Sequence, residues 1–360
     1  MKVAIIGTVG VPACYGGFET LAENLVGEYC APDVEYTVFC SSKAYKEKLD
    51  RYKNAKLKYI PLRANDIQCI PFDAISLLRS MRDYDVILYL GVCIPLFSLL
   101  KKFCKGKIVA NIDGLDQERD KFNWLKKTYL NFLTKNKILA PDIVIADNKG
   151  IQDFAKDKYG KDTIMIPYGG DQVLRELSDA EQQKILDKYN LKRGQYAVSV
   201  CRIEPENNCH ITLEACKQTG MPIIFIGNWD RSEYGRNLKS EYSECPNIHI
   251  QDPIYDLDTL YALRKNAGVY IHGHKVGGTN PSLVEAMFFG IPILCYDVIY
   301  NRETTYNKAG YYNDVESLKT LLNNYEDNGA EMRRLADRHY TWKKIVKDYE
   351  DTYRLALSKG

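Results

Sequence analysis

The stretch VGGTNPSLVEAM at positions 276–287 holds the residue types that a phosphate-bearing ligand requires. Gly277 and Gly278 let backbone approach a ligand closely. Asn280 and Pro281 have the character of an N-cap and a first helical residue. Backbone amides of Gly277, Gly278, Thr279 and Asn280, aided by the helix dipole, suit a diphosphate. Glu285 falls just over one turn into that helix, where its carboxylate could accept hydrogen bonds from a ribose diol. Its neighbours Leu283, Val284, Ala286 and Met287 predict a half-buried glutamate. The plainer alternative is an ordinary capped helix with an exposed acid.

Other loops carry complementary groups. In SVCRIEPENN (199–208), Arg202 could grip phosphate with its forked donors, or simply pair with Glu204 or Glu206. In GTVGVPACYGGFET (7–20), Gly16 and Gly17 precede an amphipathic helix, a place for close backbone approach to an anion. Gly7 and Gly10 are spaced wrongly for a dinucleotide fingerprint, and Pro12 interrupts, which argues against a nicotinamide dehydrogenase. In NIDGLDQERD (111–120), Asp113 is placed to reach toward a sugar or acceptor, although aspartate before glycine also forms turns. His272 and His274 flank Gly273 with no third ligand nearby in sequence, so His274 is expected to make a polar contact on the donor side. No Asp-x-Asp segment follows a central strand, and no catalytic metal or other cofactor is expected.

These loops need strands to launch them. β-branched runs at 3–6, 36–40, 58–60, 86–90, 108–110, 143–146 and 164–166 alternate with amphipathic stretches such as 18–29 and 124–135. After a turn-rich break, the pattern restarts at 196–201, 223–226, 248–250, 269–272 and 293–296, with helices at 179–189, 211–219, 257–266 and 282–289. The alternation predicts an α/β protein with two Rossmann-like, doubly wound domains facing a central cleft, hinged near 167–172. Ligands of such sheets bind beyond the carboxyl ends of the strands, where these motifs fall.

Composition agrees. The 360 residues suffice for two domains of about 170 each. A net charge of +2 argues against a dedicated nucleic-acid binder. Lysines cluster at 101, 102, 105 and 107 and again at 121, 126, 127, 135 and 137. They form either a solvated face or a patch for an anionic membrane surface or phosphate-bearing acceptor. The 11 cysteines contain no Cys-x-x-Cys pair, and Cys40, Cys201 and Cys295 sit in apolar runs, which fits free thiols in a cytoplasm. The opening MKVAIIGTVG looks like a first strand, and no stretch approaches the ~20 apolar residues of a membrane span. A cytoplasmic protein with at most peripheral membrane contact is expected.

The segments PACYGGFET, NIDGLD, CRIEPENN, GNWDRSEYG, YIHGHKVGGTNPSLVEAM and NRETT, in this order, resemble the GT-B glycosyltransferases of the retaining superfamily that includes glycogen and sucrose synthases. More closely, they resemble its bacterial polysaccharide branch often described as rhamnosyltransferases. The resemblance implies an acceptor-binding domain at 1–168, a nucleotide-sugar domain at 169–341 and a last helix, within 342–360, crossing back to the first domain. It implies metal-independent transfer of a hexosyl unit to a glycan or polyprenyl-linked acceptor, with retention. Arg202 would hold the diphosphate, Glu285 the donor ribose, and Gly17 would lie against the donor, with Asp113 and Arg202 carrying the catalytic step. This chain departs from the superfamily at three places. A usual earlier glutamate near the transferred sugar is Gly277, a usual lysine after the arginine is Asn207, and Pro281 removes an amide. Near Asp113, Asp116 and Gln117 stand where the branch often shows an acid and a tryptophan. A nucleotide-sugar epimerase, a phosphorylase on the same fold and a non-catalytic nucleotide-sugar binder are the rival readings.

Overall fold

The computed structural model describes residues 1–14, 16–91, 94–95, 97–112 and 124–359, with backbone only for 124–127 and 130. The chain divides into two compact units: Met1–Tyr168 together with Trp342–Gly360, and Gly169–Thr341.

In the first unit the strands are β1 (Lys2–Ile6), β2 (Glu35–Ser41), β3 (Arg51–Tyr52), β4 (Ala55–Ile60), β5 (Val86–Tyr89), β6 (Lys107–Ile112), β7 (Ile143–Ala146) and β8 (Ile164–Met165). They form one sheet in the order β3-β4-β2-β1-β5-β6-β7-β8. All neighbours run parallel except the β3–β4 hairpin. Central strands such as Val86–Tyr89 and Ile143–Ala146 are buried along their whole length, as a sheet covered on both faces demands. Near the edge, β4 alternates instead, with Lys56 and Lys58 outward between Ala55, Leu57 and Ile60. Those lysines conceal the first half of the strand from a search for β-branched runs.

The second unit contains β9 (Ala197–Val200), β10 (Ile223–Ile226), β11 (Ile248–Gln251), β12 (Val269–His272), β13 (Ile293–Tyr296) and β14 (Gly310–Tyr312). Their order is β11-β10-β9-β12-β13-β14, all parallel. The short, glycine-led β14 carries no β-branched residue and gave no strand signal.

The final helix, Trp342–Ser358, belongs to the first unit. Trp342, Ile345, Val346, Tyr349, Tyr353 and Ala356 recur at helical spacing and enter the core beside Tyr36 and Val38. Tyr353 meets Tyr36 edge-on at 6.5 Å, and the buried Glu350 accepts from the Ala31 amide at 2.9 Å.

In each sheet the strand order reverses at one place: between β1 and β5, and between β9 and β12. In doubly wound sheets, ligands generally bind beyond the carboxyl ends of the strands at such a reversal. No helix among the described residues is long and apolar enough to cross a membrane.

Candidate functional site

At the second unit's reversal point, the loops after β9 and β12 are fastened to each other. The Lys275 amide donates to Glu206 O at 3.0 Å, and Asn208 Nδ2 donates to Gly273 O at 2.9 Å. Asn207 bridges further: its Nδ2 donates to Arg202 O at 2.7 Å, and its Oδ1 lies 2.6 Å from His274 Nδ1. With the amide so placed, His274 Nδ1 carries the proton and, in the neutral ring, Nε2 is left as an acceptor. Asn208 makes this possible with a left-handed φ of 48°, which asparagine tolerates better than most residues. Behind His274, burial holds His272 near a pKa of about 3, with His274 adding to the shift, so His272 is neutral. Among the described residues no group of three His, Cys, Asp or Glu is placed to hold a metal ion.

The glycine turn follows directly. Gly277 takes φ 109°, a conformation closed to side-chain-bearing residues. Asn280 Oδ1 accepts from the Ser282 amide at 3.0 Å, and Pro281 opens the helix Pro281–Met287. Backbone amides of Gly277, Gly278 and Asn280 donate to no acceptor among the described residues. Thr279 between them is buried. Arg202 is exposed, and no ion pair joins it to Glu204 or Glu206. The loops thus offer open amides and an uncommitted guanidinium, the donor set for an anion carrying more than one charge.

Glu285 is not an isolated acid. Its Oε2 accepts from Arg264 Nη1 at 2.9 Å and its Oε1 from Gln172 Nε2 at 2.9 Å. The exposures are unequal: 2% for the Arg264 side chain and 21% for Glu285. Arg264 sits in the last turn of the helix Leu257–Lys265, lies over the Phe289 ring at 4.8 Å, and has no partner for Nε among the described residues. Gln172 comes from the short turn Asp171–Val173, reached through Gly170, whose added Cβ would stand 2.8 Å from Val284 Cγ1. A carboxylate has about four lone-pair directions, so two fixed partners leave capacity for a diol while setting its orientation.

The sequence comparisons divide the chain along similar lines. Residues 1–171 match a domain of unknown function, DUF1972, and residues 181–342 match the model of glycosyl transferases group 1. No curated protein matches the chain. Among solved structures, sucrose-phosphate synthase from Thermosynechococcus elongatus superposes with a TM-score of 0.77 at 15% identity, covering 100% of both chains. HepE of Anabaena, solved in complex with UDP-glucose, gives 0.74 at 15% identity over 98% of this chain and 99% of its own. AviGT4, a glycosyltransferase involved in avilamycin A biosynthesis, gives 0.60 at 14% identity over 100% and 98%. The fold is that of the GT-B glycosyltransferases.

In GT-B terms the second unit carries Arg202, Asn207, His274, Gly277, Gly278, Thr279, Asn280 and Glu285 on the loops of one sheet edge. Gly16 and Gly17 belong to the first unit, after β1, where they start the helix Gly17–Leu25. Gly16 takes φ 132°, and a Cβ there would lie 2.1 Å from Glu19 Oε2. The buried Glu19 accepts from Thr8 Oγ1 and the Val9 amide, each at 2.8 Å, and so fixes the loop. Asp113, with Asp116 and Gln117, lies outside the described residues. Three participants escaped the sequence reading. Arg264 has the look of a basic residue in a last helical turn, Gln172 of a linker residue, and Glu19 of a surface acid near a helix start. For Arg264 a signal was available: it directly follows the apolar pair Ala262 and Leu263, both buried.

Proposed function

We propose that this GT-B protein transfers a hexosyl unit from a nucleoside diphosphate sugar to a glycan or lipid-linked saccharide in bacterial surface polysaccharide synthesis. Rhamnose is the sugar that the resemblance favours, with retention at the anomeric carbon and without a metal. The observation that carries the reading is the pairing of open amides at Gly277, Gly278 and Asn280 with the oriented Glu285 on the same loop and helix. The amides and Arg202 would take the diphosphate, and the carboxylate the ribose. The UDP-glucose held by the similarly folded HepE supports a nucleotide sugar as donor. Catalysis then consists of positioning the donor and stabilising charge on the departing diphosphate. Work in the cytoplasm, with peripheral contact to the inner membrane face, would suit a polyprenyl-linked acceptor.

A thermal-shift panel of nucleotide sugars tests this. A donor at about 100 times its Kd contributes about 2.7 kcal/mol, several degrees in Tm, and should exceed its bare nucleoside diphosphate. If no nucleotide sugar outperforms the bare diphosphates, the donor assignment is wrong. Incubating the donor without acceptor excludes an epimerase if the sugar is recovered unchanged.

Arg202→Ala should lower kcat on the order of 10²-fold, the usual loss when one donor to a developing anion is removed. Its Tm should not move, because the exposed guanidinium makes no ion pair among the described residues. Steady-state kinetics beside a melting curve would check both halves.

A further inference from the structure

The reversal point of the first sheet holds a buried charge that no hydrogen bond or ion pair among the described residues answers. Lys137, in the last turn of the helix Trp124–Leu139, is only 9% exposed. Sequence places it in a lysine cluster read either as a solvated face or as a patch for an anionic membrane surface or phosphate-bearing acceptor; the structure turns this lysine inward, because position 137 shares a helical face with the buried Leu133 one turn earlier. Its ammonium makes no hydrogen bond or ion pair among the described residues. It faces two aromatic rings instead, Phe18 at 5.6 Å and Tyr89 at 6.0 Å.

Those rings locate it. Tyr89 ends β5, and Phe18 is the second residue of the helix that Gly16 and Gly17 introduce after β1. β1 and β5 are the adjacent strands at which the order reverses. The nearby acid, Asp73, is engaged elsewhere: it accepts from the Tyr89 hydroxyl at 3.0 Å and is walled in by Gly91, whose Cβ would lie 2.2 Å from its Oδ2. Gly7 closes the same wall, since its own Cβ would stand 2.1 Å from Gly91 N. Burial pushes the Asp73 carboxyl up to about 7, against the pull of Tyr89 and Lys137, so near neutrality it is only a partial counter-ion.

A buried ammonium needs three acceptors, and ring faces repay only part of its lost hydration. We propose that this crevice is a second ligand site, in which Lys137 receives an oxyanion, phosphate or carboxylate, on the acceptor saccharide. That the anion belongs to an acceptor rests on the transferase reading; that the crevice binds an anion does not.

The test uses the full chain and no turnover. Inorganic phosphate and glucuronate are each titrated by calorimetry into Arg202→Ala protein, in which the donor loops have lost their free cation, and into the Arg202→Ala/Lys137→Met double variant. At least one probe should bind the single variant and lose tenfold or more in affinity in the double. Phosphate as the sensitive probe assigns a phosphorylated acceptor, glucuronate an acidic sugar. Lys137→Met alone should melt no lower than wild type, since the ammonium it removes makes no hydrogen bond or ion pair among the described residues, and should keep the nucleotide-sugar thermal shift. Equal affinity in the two variants, or no binding of either probe to Arg202→Ala, overturns the site. A lower Tm with anion binding intact also overturns it, because Lys137 would then serve only to hold Asp73. Loss of the nucleotide-sugar shift in wild type would instead strike the donor assignment and leave this titration readable.

Discussion

Glu285→Ala is expected to destabilise the second unit by about 3–5 kcal/mol, the range seen when one partner of a buried ion pair is removed. The asymmetry of the pair makes this specific. Arg264 is 2% exposed and already has an unpartnered Nε, so without Glu285 its charge keeps, among the described residues, the Phe289 face and a 3.4 Å contact with Ser282 O. Arg264→Met should cost distinctly less, because the Glu285 side chain reaches solvent at 21% exposure and retains Gln172. The double variant should then be more stable than Glu285→Ala alone, since it removes the stranded cation. Urea unfolding of the three variants measures these differences. If Arg264→Met proves the more damaging single change, burial is not what sets the energetics of the pair. Glu285→Gln separates stability from function, keeping a hydrogen-bonding side chain while losing the charge that fixes Arg264. Under the proposed ribose role its kcat/KM should fall with the loss concentrated in donor KM, because binding common to ground and transition states is what a ribose contact supplies.

The pair also marks where sequence reasoning stops. The strand–helix alternation could be read because parallel strands buried on both faces must be apolar throughout, as in Val86–Tyr89 or Ile223–Ile226. The glycine turn was legible for a local reason: Gly277 needs a positive φ, and an Asn-Pro step announces a helix start. Glu285 could be placed beside that turn but not given its partners. Arg264 is 21 positions away and Gln172 is 113, and no periodicity joins them. For Lys137 composition alone left a solvated face and an anion-facing patch both open. A lysine run suggests solvent, whereas helical spacing from Leu133 would have turned this one lysine inward. Asp73 gave the same kind of clue, standing in the buried stripe of Phe72, Ser76, Leu77 and Ser80 on its helix. A polar residue on an otherwise apolar helical face is therefore the sequence signal that both positions share.

Gly273→Ala should damage activity severely for the addition of a single methyl group. An added Cβ would stand 2.1 Å from Asn207 O and 3.1 Å from Asn207 C, so the obstacle is backbone and cannot rotate away. Nor can either loop retreat freely, because the Lys275–Glu206 and Asn208–Gly273 hydrogen bonds tie them together on both sides of the clash. Opening the gap to ordinary contact moves the Arg202 loop from the glycine turn by roughly an ångström, a displacement that can cost about 10²-fold in rate. Overpacking itself costs about 1–3 kcal/mol, so the protein should remain folded and the loss should appear in kcat/KM. Gly220→Ala supplies the control. Gly220 takes φ 71° with nothing within 4 Å of its Cβ, and it precedes β10, at the edge of the same sheet opposite the loops. Forcing alanine into that left-handed conformation costs about 1–2 kcal/mol, a similar loss of stability, without touching Asn207 or Gly277. Kinetics on the two variants at matched stability therefore separate a lost site from a weakened unit. Equal activity in both would mean that the two loops need not be held in register for the donor to bind.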